Sequence, residues 1–448
     1  MLRRSFKRGA GTTDQAGYLE LVRTNPNFRF LWIGDIISLL GDWFNTIAIY
    51  NLITELTGSP LALGAVFITK MLPWALASPV AGVIVDRVNR RRLMIGSDLL
   101  RAIVVLGFLA VDEPGDVWLL YVLTALQTTL GSVFQPARSA SLPNITSPRE
   151  LLTANALMSA TWSTMLAMGA ALGGFATEFI GTTGVFLADS ATYVLSALFL
   201  YRVRIPQQTE PVEPGPVIRA AARKTAEGWR HMRQRGDIGR IALSKFTWSV
   251  AGGGLVYMLA LLGEAIAPTA QAIGIGILYS ARGLGTGIGP IIARRVFRDK
   301  PNWPRVLGCA VMFSGLCYFA VGFAEWGYAV AGLIILAHAA SGANWVLSSV
   351  LLQERTADWY RGRVFATEWL LVLIAESIST LIASTLLESG LLDLRGTFRV
   401  FAGVMMLCGL LWLLVIVPRE RRARVAGPGG HPRDSDLWNV VRSESADL

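Results

Sequence analysis

Apolar residues along this chain come in long blocks, each bounded by charged or turn-forming positions. The blocks lie at 28–53, 60–85, 93–112, 116–137, 150–178, 183–204, 239–263, 270–296, 303–324, 327–352, 363–388 and 397–418. About twenty apolar residues carry a helix across a hydrocarbon layer about 30 Å thick. The pattern therefore predicts twelve spanning helices and an all-α polytopic membrane protein. The first 27 residues hold Arg3, Arg4, Lys7, Arg8 and Arg23 without the apolar core of a signal peptide, which predicts a basic N-terminal tail. Between blocks six and seven, Pro206, Pro211, Pro214 and Pro216 precede a stretch with Arg219, Arg223, Lys224, Arg230, Arg233 and Arg235. Residues 205–238 read as a linker ending in a basic amphipathic helix, either resting on anionic inner-leaflet lipid or acting as a solvated tether. After Pro418 the sequence turns to Arg419, Arg421, Arg422 and Arg424, then Gly, Pro and acids. It predicts a disordered tail over 419–448 behind a snorkelling anchor.

Charge placement tests the count of twelve, since Lys and Arg should gather in alternate loops. Lys70, Arg101, Lys245 and Arg282 stand within spans, and Arg395 and Arg399 lie near the loop between spans 11 and 12. The remaining basic residues collect in the tails, the even-to-odd loops and the span ends that border them. The opposite loops carry Glu55, Asp112, Glu113, Asp116, Glu178, Glu264, Glu325, Glu388 and Asp393. Both termini are thus expected in the cytoplasm, with the chain in the plasma (inner) membrane. The net charge of +10 follows from that asymmetry and gives no reason to expect nucleic acid as a partner.

Composition agrees. Of 448 residues, 53% are apolar and 16% charged, and the mean hydropathy of +0.47 excludes an ordinary soluble domain. Cys309, Cys317 and Cys408 sit in apolar runs without a CxxC pair, and only His231, His338 and His431 are present. Neither a metal nor a cofactor is expected. A Walker loop, a phosphorylated-Asp signature and a His-Glu-x-x-His motif are all missing, so the sequence offers nothing for an ATP-driven pump or an enzyme. The run Gly283-Leu284-Gly285-Thr286-Gly287-Ile288-Gly289 has small-x-x-x-small spacing and predicts close helix packing.

Spans 28–204 and 239–418 are of nearly equal length, which suggests two parallel six-helix repeats around a midplane site. The loop after span 2 reads Gly82-Val83-Ile84-Val85-Asp86-Arg87-Val88-Asn89-Arg90-Arg91, and its counterpart after span 8 keeps Gly289 and Arg294 but has Ala293 in place of the acid. The first loop resembles motif A of the major facilitator superfamily. Further tags are similar to exporters of the enterobactin-exporter and macrolide-efflux type. They are Ser38-Leu39-Leu40-Gly41-Asp42, Asp98-Leu99-Leu100-Arg101-Ala102, Phe134-Gln135-Pro136-Ala137-Arg138, Ala154-Asn155-Ala156-Leu157, Asp189-Ser190-Ala191-Thr192-Tyr193 and Arg361-Gly362-Arg363-Val364. Span 5 departs from the antiporter motif: Gly169-Ala170-Ala171-Leu172-Gly173-Gly174 keeps the glycines but lacks the proline. The resemblance implies the major facilitator fold of two pseudo-symmetric bundles, and a monomer.

Ionisable groups at bilayer depth cost several kcal/mol unless paired, so they are functional candidates. At about 1.5 Å per residue, Asp42 on span 1 and Lys70 on span 2 reach one level, as do Arg282 on span 8 and Glu376 on span 11. Two ion pairs are predicted, one per half. Burial and a neighbouring cation pull a carboxyl's acidity in opposite directions, which makes Asp42 the preferred proton carrier against a purely structural role. Asp35, seven residues away on the same helix face, is the second candidate. Asp98 and Arg101 read as a local pair supporting the motif A loop. In motif A (Gly82, Asp86, Arg87, Arg90, Arg91) the acid is expected to accept from the end of span 11, with the arginines holding headgroups or carboxylates such as Glu368. That lock would favour the outward-open state. In the resembled family spans 1, 4, 7 and 10 face the cavity, which selects Trp43, Trp248, His338, Asn344 and Trp345 as substrate candidates beside a packing role. The expected function is export of an amphiphilic small molecule in exchange for protons. Alternatives are a proton-independent lipid or lysolipid flippase, and a membrane sensor or scaffold.

Overall fold

A computed structural model describes residues 16–206, 216–297 and 299–425. They form fifteen α-helices: α1 (Tyr18–Thr24), α2 (Pro26–Thr57), α3 (Pro60–Arg87), α4 (Arg90–Gly107), α5 (Val117–Gly131), α6 (Phe134–Ile145), α7 (Pro148–Arg202), α8 (Val217–Gln234), α9 (Gly236–Ile266), α10 (Gln271–Val296), α11 (Trp303–Val321), α12 (Val330–Arg355), α13 (Asp358–Glu388), α14 (Leu394–Leu411) and α15 (Val417–Val425). The described residues contain no strand. Helix starts follow local chemistry. Asn25, Ser59 and Asn89 cap α2, α3 and α4 with side-chain oxygens, and Pro26 and Pro60 occupy first-turn positions where no backbone donor is needed.

Ten helical segments are long and apolar enough to cross a membrane. One of them, α7, is 55 residues long and is interrupted at Gly181, whose φ of 69° and ψ of 171° suit only glycine. On one side of the break Gly169 and Gly173 lie against Trp43 and Phe44, and on the other Asp189 and Thr192 lie against Gly41. Both arms therefore run along the same stretch of α2, so the chain reverses at Gly181 and α7 supplies two crossings. Helix α10, 26 residues long, is less apolar because of its glycines and Arg282. With these two readings the path makes the twelve crossings that the apolar blocks predict.

The two faces of the bundle are built differently. Helices α1, α8 and α15 lie on what we call the terminal face. At the opposite face one apolar core runs through both six-helix sets, joining Ile47 to Ile53, Leu63 and Phe67 of the first with Tyr257, Ile275 and Tyr279 of the second. Cross-links seal it: Tyr257 Oη donates to the Pro60 carbonyl (2.7 Å), and Glu388 accepts from Ser59 Oγ (2.7 Å) and the Leu61 amide (3.0 Å). Gly174 of α7 and Gly276 of α10 cross so closely that a Cβ on either would strike the other helix's backbone. The glycine run of α10 packs as expected, Gly283 on α7 and Gly289 on α12. Toward the terminal face the core divides. One cluster holds residues of α1 to α7 and the other residues from α8 onward.

Helix α15 corrects the expected tail. Residues 419–425 are helical, and Glu420 is buried, accepting from Arg240 (2.6 Å) and Arg355 (2.8 Å). The reason is a carboxylate among predominantly basic residues, which turns an anchor into an ion-paired clamp. Residues 426–448, with 1–15 and the linker prolines Pro211 and Pro214, lie outside the described residues.

Candidate functional site

Six charged or polar side chains of the first set meet around α2. Asp42 lies 3.7 Å from the Arg101 guanidinium and accepts a short hydrogen bond from Tyr193, which in turn accepts from Gln127 (3.1 Å). Arg101 turns its other arm to Asp98 (2.5 Å) and stacks on the Tyr193 ring, 4.3 Å from its centroid. Ser196 completes the Asp98 shell at 2.7 Å. One turn away Asp189 accepts from Asn45 (2.7 Å). Asp35 pairs with Arg138 of α6 and leaves its Oδ2 without a partner. Most of these groups are buried; Gln127 is partly exposed, and so is Asp42, its side chain 36% exposed against 7% for Arg101 and 0% for Asp98.

The expected Asp42–Lys70 pair is not what forms. Lys70 Nζ donates to Thr46 Oγ1 (2.6 Å), whose hydroxyl donates to the Asp42 carbonyl (2.6 Å). Matching heights along helices gives level but not direction. Successive residues rotate by about 100°, and Asp42 points to α4 and α7 while Lys70 sits on α3. Asp35 and Asp42 do share a helix side, as their spacing required. Asp98 and Arg101 pair as expected but serve Asp42 and Ser196 rather than the motif A loop. Missed by sequence reasoning were the roles of Arg101, Arg138, Asp189, Tyr193 and Asn45. All but Asn45 lie in the short tags that carried the family resemblance, so four of the six tags meet in space in this network.

The second set places its charges elsewhere. Lys245 of α9 and Glu368 of α13 form a pair at 3.0 Å, with side-chain exposures of 2% and 1%. The ammonium lies under the rings of Trp345 (5.3 Å) and Phe365 (5.6 Å). Glu368 thus belongs to Lys245 and not to the motif A arginines, because α13 turns it inward toward α9. The Arg282–Glu376 pair also fails to form among the described residues. Glu376 accepts from Ser249 (3.2 Å), and Arg282 lies over the Tyr279 ring, 5.9 Å from its centroid.

Of the substrate candidates, three are enclosed within the second set. Trp248 donates to Ser314 (3.3 Å), His338 is bonded to Tyr318 Oη (2.7 Å), and Asn344 accepts from Ser244 (2.6 Å). All three are buried in this conformation. Trp43 and Trp345 are partly exposed. Trp43 packs on Gly169 and approaches the Tyr279 ring (6.3 Å) across the division between the sets.

Motif A lies at the end of α3 on the terminal face. The Gly82 position faces open space, and Asp86, 62% exposed, is 3.7 Å from Lys224 of α8. Its partner is the linker helix rather than the end of span 11. Arg90 and Arg91 reach carbonyls of neighbouring helices. Arg90 donates to the Ala140 carbonyl (2.7 Å), while Arg91 donates to the Leu200 (3.3 Å) and Tyr201 carbonyls. Arg87 marks the last residue of α3. Helix α8 also docks on α13, with Arg363 on Glu227 (3.0 Å), Thr367 Oγ1 on the Thr225 carbonyl (3.3 Å) and Gly228 against the Arg363 backbone. Its other side presents Arg219, Arg223, Arg230 and Arg233 beside Ile218 and Trp229.

The described residues contain no cluster of ligands that could hold a metal ion. Among solved structures, the peptide-transporter-family protein PepTSo superposes with a TM-score of 0.68 over 89% of this chain and 99% of that one, at 12% identity; this likeness concerns the fold. In sequence, the chain is 26% identical to BacE of Bacillus subtilis, named for bacilysin export, over 76% of this chain and 84% of that protein. Over 28% of this chain and 31% of its own length, macrolide efflux protein A of Streptococcus pyogenes is 34% identical. The family model described as transmembrane secretion effector matches residues 22–423. The chain accordingly belongs to the transmembrane secretion effector family of major facilitator transporters.

Proposed function

We propose that this transporter exports an amphiphilic small molecule in exchange for protons, by alternating access, with Asp42 as the principal proton carrier. The observation that carries the reading is the exposure of Asp42 at the edge of a network whose other charged groups are enclosed. A proton reaching it would weaken its hold on Arg101 and on Tyr193, and so free α2 to move against α4 and α7. The names of the efflux relatives support the direction. With both termini in the cytoplasm, the divided core at the terminal face corresponds to an inward-facing state. In that state Asp86 is held by Lys224; in the outward-open state it would exchange this partner for the end of α13. The basic outer side of α8 would then rest on anionic inner-leaflet headgroups.

Inside-out vesicles with an imposed pH gradient and a pH-reporting dye test this reading, using macrolides, siderophores, aromatic acids and lipophilic cations as the panel. Substrate-dependent proton movement in the wild type that is lost in Asp42→Asn is expected. Compounds that bind without moving protons would replace the antiport reading with a flippase or a sensor.

A further inference from the structure

Lys70 and Arg282 are intramembrane cations from opposite six-helix sets, and neither has a carboxylate within ion-pairing distance among the described residues. Lys70 has the Thr46 hydroxyl and the face of Tyr50, 5.7 Å from its centroid. Arg282 has the face of Tyr279, 5.9 Å away. The Tyr50 and Tyr279 rings are themselves 5.8 Å apart, so the four groups form a ladder of cation, ring, ring and cation that crosses the division between the sets. Phe67 stacks on Tyr50 at 4.4 Å. Both cations are partly exposed. The nearest acids make their contacts elsewhere, Asp42 with Arg101 and Tyr193, Asp189 with Asn45 and Glu376 with Ser249, and act on the two cations only across a gap.

A cation kept at bilayer depth without a counter-ion is costly. Tyr50 and Tyr279 themselves are buried between the sets. The arrangement becomes favourable once an anion with an apolar body enters: its charge takes the ammonium and guanidinium, the latter as a bidentate fork, while its rings or chain take the place of the ring-to-ring contact as the tyrosines part. We propose that this ladder is the substrate site and that the substrate class is an aromatic or apolar carboxylate. The site rests on the transport reading above and narrows it, because a lipophilic cation or a neutral macrolide would leave both charges unanswered. Being contributed by both sets, the ladder would also come apart when the sets move, which links occupancy to the conformational change.

Binding to purified protein separates this claim from proton coupling. The probes are 1-pyrenebutyrate, 1-pyrenebutanol and 1-pyrenebutylamine, followed by energy transfer from protein tryptophan to pyrene. The carboxylate should bind at least about tenfold more tightly than the alcohol, and Lys70→Gln and Arg282→Gln should each remove about that factor. Alcohol binding should be unchanged in both variants, which shows that they are folded. Arg282→Lys should recover part of the loss. Equal affinities for the three probes, or preference for the amine, would overturn the proposal even if Asp42-dependent proton movement is found. Carboxylate preference in a protein without proton movement would leave it standing while the antiport reading fails.

Discussion

The Asp42 network of the first set and the Lys245–Glu368 pair of the second are both charge clusters at membrane depth, yet they are built for opposite ends. The pair is closed, with one cation and one carboxylate under aromatic rings and almost no exposure. The network is open-ended, since acids on α2 and α4 share Arg101, Tyr193 of α7 donates to one of them, and that one reaches solvent. A closed pair has little to gain from exchanging a proton, because doing so strands its partner in an apolar site. A shared cation can move its allegiance from one acid to another at smaller cost. On the proposed reading, that difference gives the second set a structural role and the first set the coupling.

Breaking the pair should have the largest effect. Lys245→Met leaves Glu368 buried and unpaired, with an expected loss of about 3–5 kcal/mol in thermal unfolding of the purified protein. Lys245→Met combined with Glu368→Leu should recover most of it; a double variant as unstable as the single one would mean that the pair is more than a closed bridge. Next comes Gly41→Ala, whose methyl group would collide with Asp189 and Thr192. A cost of about 1–3 kcal/mol is expected from the forced separation of α2 and α7, together with impaired transport. Asp42→Asn sharpens the contrast further: unfolding should change by less than about 1 kcal/mol, as for a partly solvated ion pair, although coupling is lost.

The smallest effect belongs to α8, outside the membrane. Its His231 ring stacks on Tyr360 with centroids 4.1 Å apart. Burial first, and Arg235 second, hold its pKa below the ordinary value, against an opposing pull from Asp237. The docked ring therefore binds fewer protons than the undocked one. Docking is favoured above the ordinary histidine pKa of about 6.5 and weakens as pH falls through it. Protection of the α8 amides, taken relative to the intrinsic exchange rate at each pH, should fall on acidification in the wild type and lose that dependence in His231→Phe.

Twelve crossings, the repeat and the family could be read from the apolar blocks, the alternating charges and the motif A loop, because each depends on composition over long stretches or on local spacing. Direction around a helix could not be read. Asp42 and Lys70 share a level but face different neighbours, and Glu368 turns toward Lys245 although its position along α13 would also have suited the motif A arginines. The same limit hid the enclosure of Trp248, His338 and Asn344, since span number says which helix borders a cavity but not which of its sides does. Arg138 and Asp189 had the right signal, membership of a tag, without a stated partner. Helix α15 showed no long apolar block to announce it, and its fold depends on one acid, Glu420, meeting two arginines from distant helices.

The central claim is that Asp42 changes its protonation during transport while Glu368 does not. Infrared difference spectra of the reconstituted protein, recorded as pH is lowered, would follow the protonated carboxyl band directly in wild type, Asp42→Asn and Glu368→Gln. A band component that disappears in Asp42→Asn and survives unchanged in Glu368→Gln is the predicted result. A spectrum unaltered by Asp42→Asn but diminished by Glu368→Gln would contradict the account and move the coupling site to the second set.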